Sequence, residues 1–219
     1  MPHKKLKVKA ILLDLDGTIV DSRNALLEAV KTAFAAFGRR IDNVNIVTEI
    51  PKRLEQNLPI QDLLKGVDTE KFLDTYLKAY YRATATRAKP MPGMVKTLQK
   101  LSQKAALAVV TRRHVPKREV IQELEKLSLA RFIKHVVTAT DNCRPKPSPE
   151  ALMSAAEELN VPTSECVVVG DSVVDIRAGK AAGTLTVAVL SGIFSREELE
   201  MEKPDLILES VNQLPDFVE

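Results

Sequence analysis

Cysteine is scarce in this chain: only Cys143 and Cys166 occur in 219 residues. Neither has a second cysteine at metal-site spacing, and there is no disulfide framework, so a reduced, cytoplasmic setting is expected. Histidine is equally thin. His3, His114 and His135 are scattered, and each reads as an ordinary surface or partly buried residue. An excess of one charge sign is also missing. Lys and Arg total 32 against 29 Asp and Glu, a net charge of +3, and the basic residues are spread rather than clustered. That balance argues against nucleic acid as a partner. No apolar run approaches the ~20 residues of a membrane span. The basic start, Met1 to Lys9, is followed by no signal-peptide cleavage pattern, so no membrane association is expected. Internal repeats and low-complexity segments are absent as well. What remains is 45% hydrophobic and 28% charged residues. That composition suits a globular chain with one large domain, or a core carrying an inserted module.

One stretch organises the rest. Ile11-Leu12-Leu13 is an apolar run of strand type, and Asp14-Leu15-Asp16-Gly17-Thr18 follows it directly. In an extended backbone, residues two apart point the same way, so Asp14 and Asp16 are expected to leave the strand on one side. Like charges that close repel unless a cation or a shared proton relieves them. Gly17 frees the backbone for a tight turn, and Thr18 adds a hydroxyl and an N–H. Such a group suits one acid as nucleophile, the other as proton donor, and a hard divalent cation between them. The same five residues also fit a strand-to-turn signal whose acids only cap backbone N–H groups. Partners further along the chain decide between the two.

The pattern predicts a first strand over Lys7 to Leu13. A helix capped by Asp21 or Ser22 follows, with Ala25, Leu26, Ala29, Val30, Ala33, Phe34 and Phe37 on its face and Gly38 at its end. Arg39 to Glu49 is polar and poorly patterned. Pro51 to Lys65 reads as one or two short helices, and Thr69 caps another with Phe72, Leu73, Tyr76, Leu77 and Tyr80 on one face. Lys89-Pro90-Met91-Pro92-Gly93 is a rigid break. Beyond it, helices marked by Val95–Leu101, Val120–Leu127, Leu152–Leu159 and Asp175–Ala182 alternate with strands. The strands are expected at 106–110, 135–138, 166–169, 185–189 and 206–208. This alternation predicts an α/β fold, a parallel sheet with helices on both faces. Residues 1–19 and 89–219 form the core in this scheme, and residues 20–88 are a helical insertion. Ser148 is expected to cap the third of these helices, with Pro149 at its first position and Met153 on its buried face.

Ligands of open parallel sheets sit outside the carboxyl ends of the strands. There the chain places Asp14 and Asp16; then Thr111, Arg112 and Arg113; then Gly170-Asp171-Ser172, with Asp175 four residues past Asp171. Before the third of these helices, Arg144-Pro145-Lys146-Pro147 presents Lys146 between two prolines that restrict its backbone. Four carboxylates without histidine or cysteine suit Mg²⁺. A cation, a lysine and turn amides stabilise charge on a transferring phosphoryl group, and a carboxylate can attack phosphorus.

These motifs resemble those of the haloacid dehalogenase superfamily phosphatases over nearly the whole chain. Asp14-Leu15-Asp16-Gly17-Thr18 is similar to that family's first motif and Val110-Thr111 to the second. Lys146 in Lys-Pro-Ser-Pro-Glu is similar to the third, and Gly170-Asp171-Ser172-Val173-Val174-Asp175 to the fourth. The insertion after the first motif resembles the small helical cap of the phosphoglycolate phosphatase and β-phosphoglucomutase branch. The resemblance implies a Rossmann-like core and a Mg²⁺-dependent phosphatase of a small phosphorylated metabolite, working through an aspartyl-phosphate. Two alternatives stay open: a phosphosugar mutase like β-phosphoglucomutase, and a non-catalytic binding module on the same fold. By the resemblance Asp14 is nucleophile and metal ligand. Asp16 is general acid and base, and offers its carbonyl to the metal. Gly17, Thr18, Thr111 and Lys146 bind the phosphoryl oxygens, with Lys146 also restraining Asp14. Asp171 binds Mg²⁺ directly and Asp175 acts behind it or orients Lys146. A monomer or homodimer is implied.

Departures from the family pattern fall at two places. Arg112 stands where relatives often carry Asn, and it reads either as a contact to an anionic substrate or as a solvated helix-start arginine. Residues 39–65 match cap signatures poorly. Lys52 and Arg53 there are candidates to reach the substrate, against plain surface charges. Tyr76, Tyr80 and Tyr81 read as packing, and Cys143, near Lys146, as an ordinary thiol.

Overall fold

The structure, a computed structural model, describes residues 5–41, 43–141 and 143–219; His3 lies outside them. Two compact units divide the chain: Met1–Val20 with Pro90–Glu219, and Asp21–Lys89.

The first unit is built on six parallel strands. They are β1 (Ala10–Leu13), β4 (Ala106–Val110), β5 (His135–Val137), β6 (Cys166–Gly170), β7 (Leu185–Val189) and β8 (Leu206–Leu208), in the order β5-β4-β1-β6-β7-β8. Valine and other apolar residues fill them almost continuously, as strands covered on both faces require. Ala10 pairs with Ala106 on one side and with Cys166 on the other, so β1 is central. The chain steps outward through β4 to β5, then returns to the far side of β1 for β6, β7 and β8. This reversal opens a crevice at the ends of β1, β4 and β6. On one face, Ala10, Leu12, Ala108, Val110 and Val168 pack on Ala151, Leu152, Ala155 and Ala156 of α6 (Glu150–Glu158) and on Ala178 of α7 (Val173–Ala182). Alternation turns Ile11, Leu13, Leu107 and Val109, all buried, to the opposite face. The right-handed crossovers carry α4 (Met94–Ser102) and α5 (Lys117–Lys126) to that side.

Several details of this unit differ from expectation. The first strand begins at Ala10 rather than Lys7, because Leu6 leaves the sheet to bridge Val218, donating its N–H to the Phe217 carbonyl at 2.6 Å. Pro149 is the N-cap of α6, not its first residue, and Met153 is 50% exposed, since Leu152 and Ala156 already define the buried stripe. A helix not expected from the apolar pattern, α8 (Arg196–Met201), starts with a capping box in which Ser195 and Glu198 satisfy each other's backbone N–H groups.

The second unit is helical: α1 (Arg23–Ala36), α2 (Ile46–Glu55), a 3-10 turn at Gln61–Leu63, and α3 (Thr69–Arg87). Short strands β2 (Val20–Asp21) and β3 (Lys89–Pro90) pair where the chain enters and leaves it. Here α2 begins before Pro51 and runs through it, although a proline interrupts the helical hydrogen-bond ladder. Val47, Ile50 and Pro51 are all buried, so tertiary packing outweighs the lost bond. Asp68, not Thr69, caps α3, its side chain accepting from the Lys71 N–H at 2.9 Å. Phe34 and Phe72 meet edge to face, 5.0 Å between centroids, inside a cluster with Val30, Ile50, Leu64 and Tyr76. Leu77, expected on the buried face of α3, is 41% exposed.

Phe72 is fully buried, so Phe72→Ala is expected to lower the unfolding free energy by about 3–5 kcal/mol. Chemical denaturation measures this; a wild-type midpoint would contradict the packing described.

Candidate active site

The side chains at the strand ends converge on one buried ammonium. Lys146, 2% exposed, donates to Asp14 Oδ1 at 2.6 Å, to Asp175 Oδ1 at 2.5 Å and to the Val110 carbonyl at 2.8 Å. Its three N–H bonds are thereby all used. They tie the end of β1, the last carbonyl of β4 and the first turn of α7 to one atom. Burial alone would pull the ammonium down, but Asp14 and Asp175 outweigh it and hold the group above its ordinary value. Arg112 braces the same loop, its guanidinium donating to the Lys146 backbone carbonyl.

Asp14 follows β1 and stays in the sheet ladder through its N–H, which donates to the Val169 carbonyl at 2.9 Å. Burial pushes its carboxyl up to about 7; Lys146 pulls against this, and the neighbouring Asp175 and Asp16 charges add to it. Asp171, at the end of β6, is 5% exposed and accepts the Thr18 hydroxyl at 2.9 Å. Two glycines press against it. Gly17, at φ +81°, has no room for a side chain, since a Cβ would lie 2.4 Å from Asp171 Oδ2. At Gly192 the same oxygen would be 1.6 Å away. Asp175 is fully buried and uses both oxygens: Oδ1 takes Lys146, while Oδ2 takes the Ser172 hydroxyl at 2.7 Å and its N–H at 3.1 Å.

Oxygen atoms of Asp14, Asp171 and Asp175 all lie within 4.8 Å of one another. These three could hold a metal ion. Asp175 accepts on both oxygens, from Lys146 on Oδ1 and from Ser172 on Oδ2.

Asp16 has a different partner. Both its oxygens are held by Arg113, from Nε at 2.6 Å and from Nη2 at 2.7 Å. Arg113 is 6% exposed and also donates to Glu123 of α5. Burial pushes the Glu123 carboxyl up, with Arg113 opposing. Thr111 is buried at the end of β4, its hydroxyl accepting the Arg113 N–H at 3.2 Å. Ser191, just past β7, donates its hydroxyl to the Gly17 carbonyl at 2.7 Å and so fixes the turn after Asp16.

Asp14, Lys146 and Asp175 are thus joined by hydrogen bonds, with the bonded pair Thr18 and Asp171 beside them, Gly17 against Asp171 and Arg112 on the Lys146 backbone. Asp16 and Thr111 are joined to Arg113. Arg53 lies in the second unit, paired there with Glu49 at 2.8 Å and Asp62 at 2.6 Å. Lys52, on α2, is half-buried. Tyr76 and Tyr80 are buried in that unit's core, rings stacked at 6.3 Å. Cys143 and Cys166 are free thiols, and burial pushes both up, Cys166 to about 11. Sequence reasoning attended to Arg112 and missed the involvement of Arg113, Glu123, Ser191 and Gly192. Arg113 offered a usable signal, a second arginine directly after a strand end; the other three offered none.

Residues 11–189 match the haloacid dehalogenase-like hydrolase family model. A phosphoglycolate phosphatase of Pseudomonas syringae pv. tomato is 31% identical over 219 residues, covering 94% of this chain and 78% of that protein. A pyrophosphatase, PpaX, of Anoxybacillus flavithermus is 28% identical over 216 residues, covering 95% and 96%. Among solved structures, a hydrolase from Pseudomonas syringae superposes with a TM-score of 0.76 at 25% identity, covering 96% of this chain and all of that one (100%). With its strand-end carboxylates, its buried lysine and a match from the first strand to the seventh, the chain belongs to the haloacid dehalogenase-like hydrolases, among that family's phosphatases.

Proposed function

We propose that the protein is a Mg²⁺-dependent phosphatase that hydrolyses a small phosphate monoester through an aspartyl-phosphate, with phosphoglycolate as a candidate substrate. The observation that carries this is the buried Lys146 held between Asp14 and Asp175 beside Asp171. Among the described residues, Asp14 is hydrogen-bonded at Oδ1, by Lys146, which leaves Oδ2 for attack. An oxygen of Asp14 forms a bond to phosphorus while the ester P–O bond breaks. The electron pair departs on the leaving oxygen, which takes a proton from Asp16. Asp16 then accepts a proton from water; the water oxygen bonds to phosphorus, the Asp14–phosphorus bond breaks, and inorganic phosphate leaves with the Asp14 carboxylate restored. Lys146 and Thr111 are the groups proposed to bind the phosphoryl oxygens, Lys146 by exchanging one of its three present acceptors for the substrate.

The donor set fits a hard divalent cation. Three buried carboxylates face one buried ammonium, so negative charge is left over, and every donor atom is oxygen. Asp14 and Asp171 would hold the ion, with Asp175 behind them, and it would supply charge stabilisation at the phosphoryl group. Residues Asp21–Lys89 are the unit we assign to substrate choice. The free thiols Cys143 and Cys166 suit a reducing cytoplasm. No helix of the described residues is long and apolar enough to cross a membrane.

Phosphate release from a panel of small esters is expected to require both Mg²⁺ and Asp14. Asp14→Asn or chelation should cost at least about a thousandfold; release surviving both would sink the mechanism, and an isomerised sugar phosphate instead of phosphate would favour a mutase.

A second expectation concerns pH. The folded-state value of Asp14 lies above its ordinary 3.8, at about 7. Its contribution to stability is therefore fully present below pH ~4 and lost as pH rises through ~7. In chelator, the melting temperature of the wild type relative to Asp14→Asn should fall between pH 5 and pH 8. The upward shift produced by Mg²⁺ should grow over the same range, because proton and cation compete. A Mg²⁺ shift independent of pH would remove Asp14 from the metal site.

A further inference from the structure

Arg113 is buried in a way a surface arginine is not. Its side chain is 5% exposed, and its partners Asp16 and Glu123 are 20% and 12% exposed. Taking a guanidinium out of water costs several kcal/mol unless its donors are well matched. Here the match is a fork: Nε and Nη2 each take one oxygen of Asp16, while Nη1 and Nη2 turn to Glu123. Asp16 and Arg113 lie 97 residues apart in sequence, so the pair is a product of the fold. A bidentate fork fixes both the position and the plane of a carboxylate, as a lysine does not. Arg113 is itself held three ways: by Glu123 from α5, by its N–H on the Thr111 hydroxyl at 3.2 Å, and by its carbonyl, which accepts from the Ala139 N–H at 3.1 Å.

We propose that Arg113, braced by Glu123, is a positioning residue that sets where the Asp16 carboxylate sits and how it is oriented for proton transfer. The inference rests on the acid–base role given to Asp16 above. Without the guanidinium, Asp16 and Glu123 are two carboxylates facing each other with no cation between, and Asp16 is driven from its place. A displaced acid hurts esters in proportion to their need for it. An alkyl leaving oxygen must be protonated as it departs, whereas p-nitrophenolate leaves without help. The ratio of kcat/KM for an alkyl phosphate to that for p-nitrophenyl phosphate therefore reads Asp16 directly, because kcat/KM covers the steps through phosphoryl transfer. A general loss of folded or metal-loaded enzyme lowers both values and leaves the ratio alone.

The experiment measures this ratio for wild type, Asp16→Asn, Arg113→Met and Arg113→Lys, with a thermal melt for each. In Asp16→Asn and Arg113→Met the ratio is expected to fall tenfold or more. Arg113→Lys, which keeps the charge and loses the fork, should show a smaller fall in the same direction. A wild-type ratio in both Arg113 variants alongside a lowered ratio in Asp16→Asn would overturn the proposal and leave Arg113 structural. An unchanged ratio in Asp16→Asn would overturn the acid role itself, and the proposal with it. Should Arg113→Met fail to fold, the ratio in Arg113→Lys decides alone.

Discussion

Everything around the site hangs on where one ammonium can be put. Lys146 donates to Asp14, to Asp175 and to the Val110 carbonyl, and so draws in contributions from β1, β4 and α7. The strand order makes this possible: with β4 and β6 on either side of β1, their carboxyl ends are neighbours. A buried ion pair is weak evidence for stability, since desolvation cancels much of the attraction. Breaking one is another matter. Loss of the ammonium would leave Asp14 and Asp175 buried without a cation, a cost of about 3–5 kcal/mol. Arg112 adds a tether at the other end of the same residue, on its backbone carbonyl. The lysine is thus held at both head and base, as the phosphoryl-binding role proposed for it requires.

The pair Asp14 and Asp16 poses a repulsion problem that any fold of this chain must solve. The structure solves it by giving each acid its own cation from a different loop. Asp14 receives Lys146, from the loop before α6, and Asp16 receives Arg113, from the loop after β4. Each cation is then shared with a second acid, Asp175 in one case and Glu123 in the other. Two acids two residues apart thereby acquire distinct surroundings, the condition for two carboxylates to take different chemical roles.

The sequence-level reading located strands 106–110, 185–189 and 206–208 at the bounds the structure has, because apolar β-branched runs bounded by turns leave few alternatives. Carboxylates and lysine were legible for a related reason. Once a parallel sheet is inferred, strand ends are known to face one crevice, and polar residues there stand out. What failed was of two kinds. Elements fixed by packing rather than pattern were missed, as with α2 running through Pro51, while Met153 was misplaced because one buried stripe on α6 sufficed. Side-chain direction beyond a strand end was not legible either. Of the adjacent arginines, Arg112 turned to a backbone carbonyl and Arg113 to the acid, and no periodicity extends past Val110 to tell them apart. The capping box at Ser195 was readable, but it opens a helix of only six residues whose apolar signal is slight.

Burial at this site works against stability and for chemistry at once. The desolvation that pushes Asp14 up to about 7 also strips the carboxylate of water, which would leave it a stronger nucleophile in the mechanism proposed above. A site optimised for folding alone would neutralise or hydrate these acids. This chain instead keeps Asp14, Asp171 and Asp175 buried together and crowds Gly17 and Gly192 against Asp171, where no larger residue fits. One buried ammonium offsets only part of the charge. The remainder is buried negative charge, which a bound cation would offset.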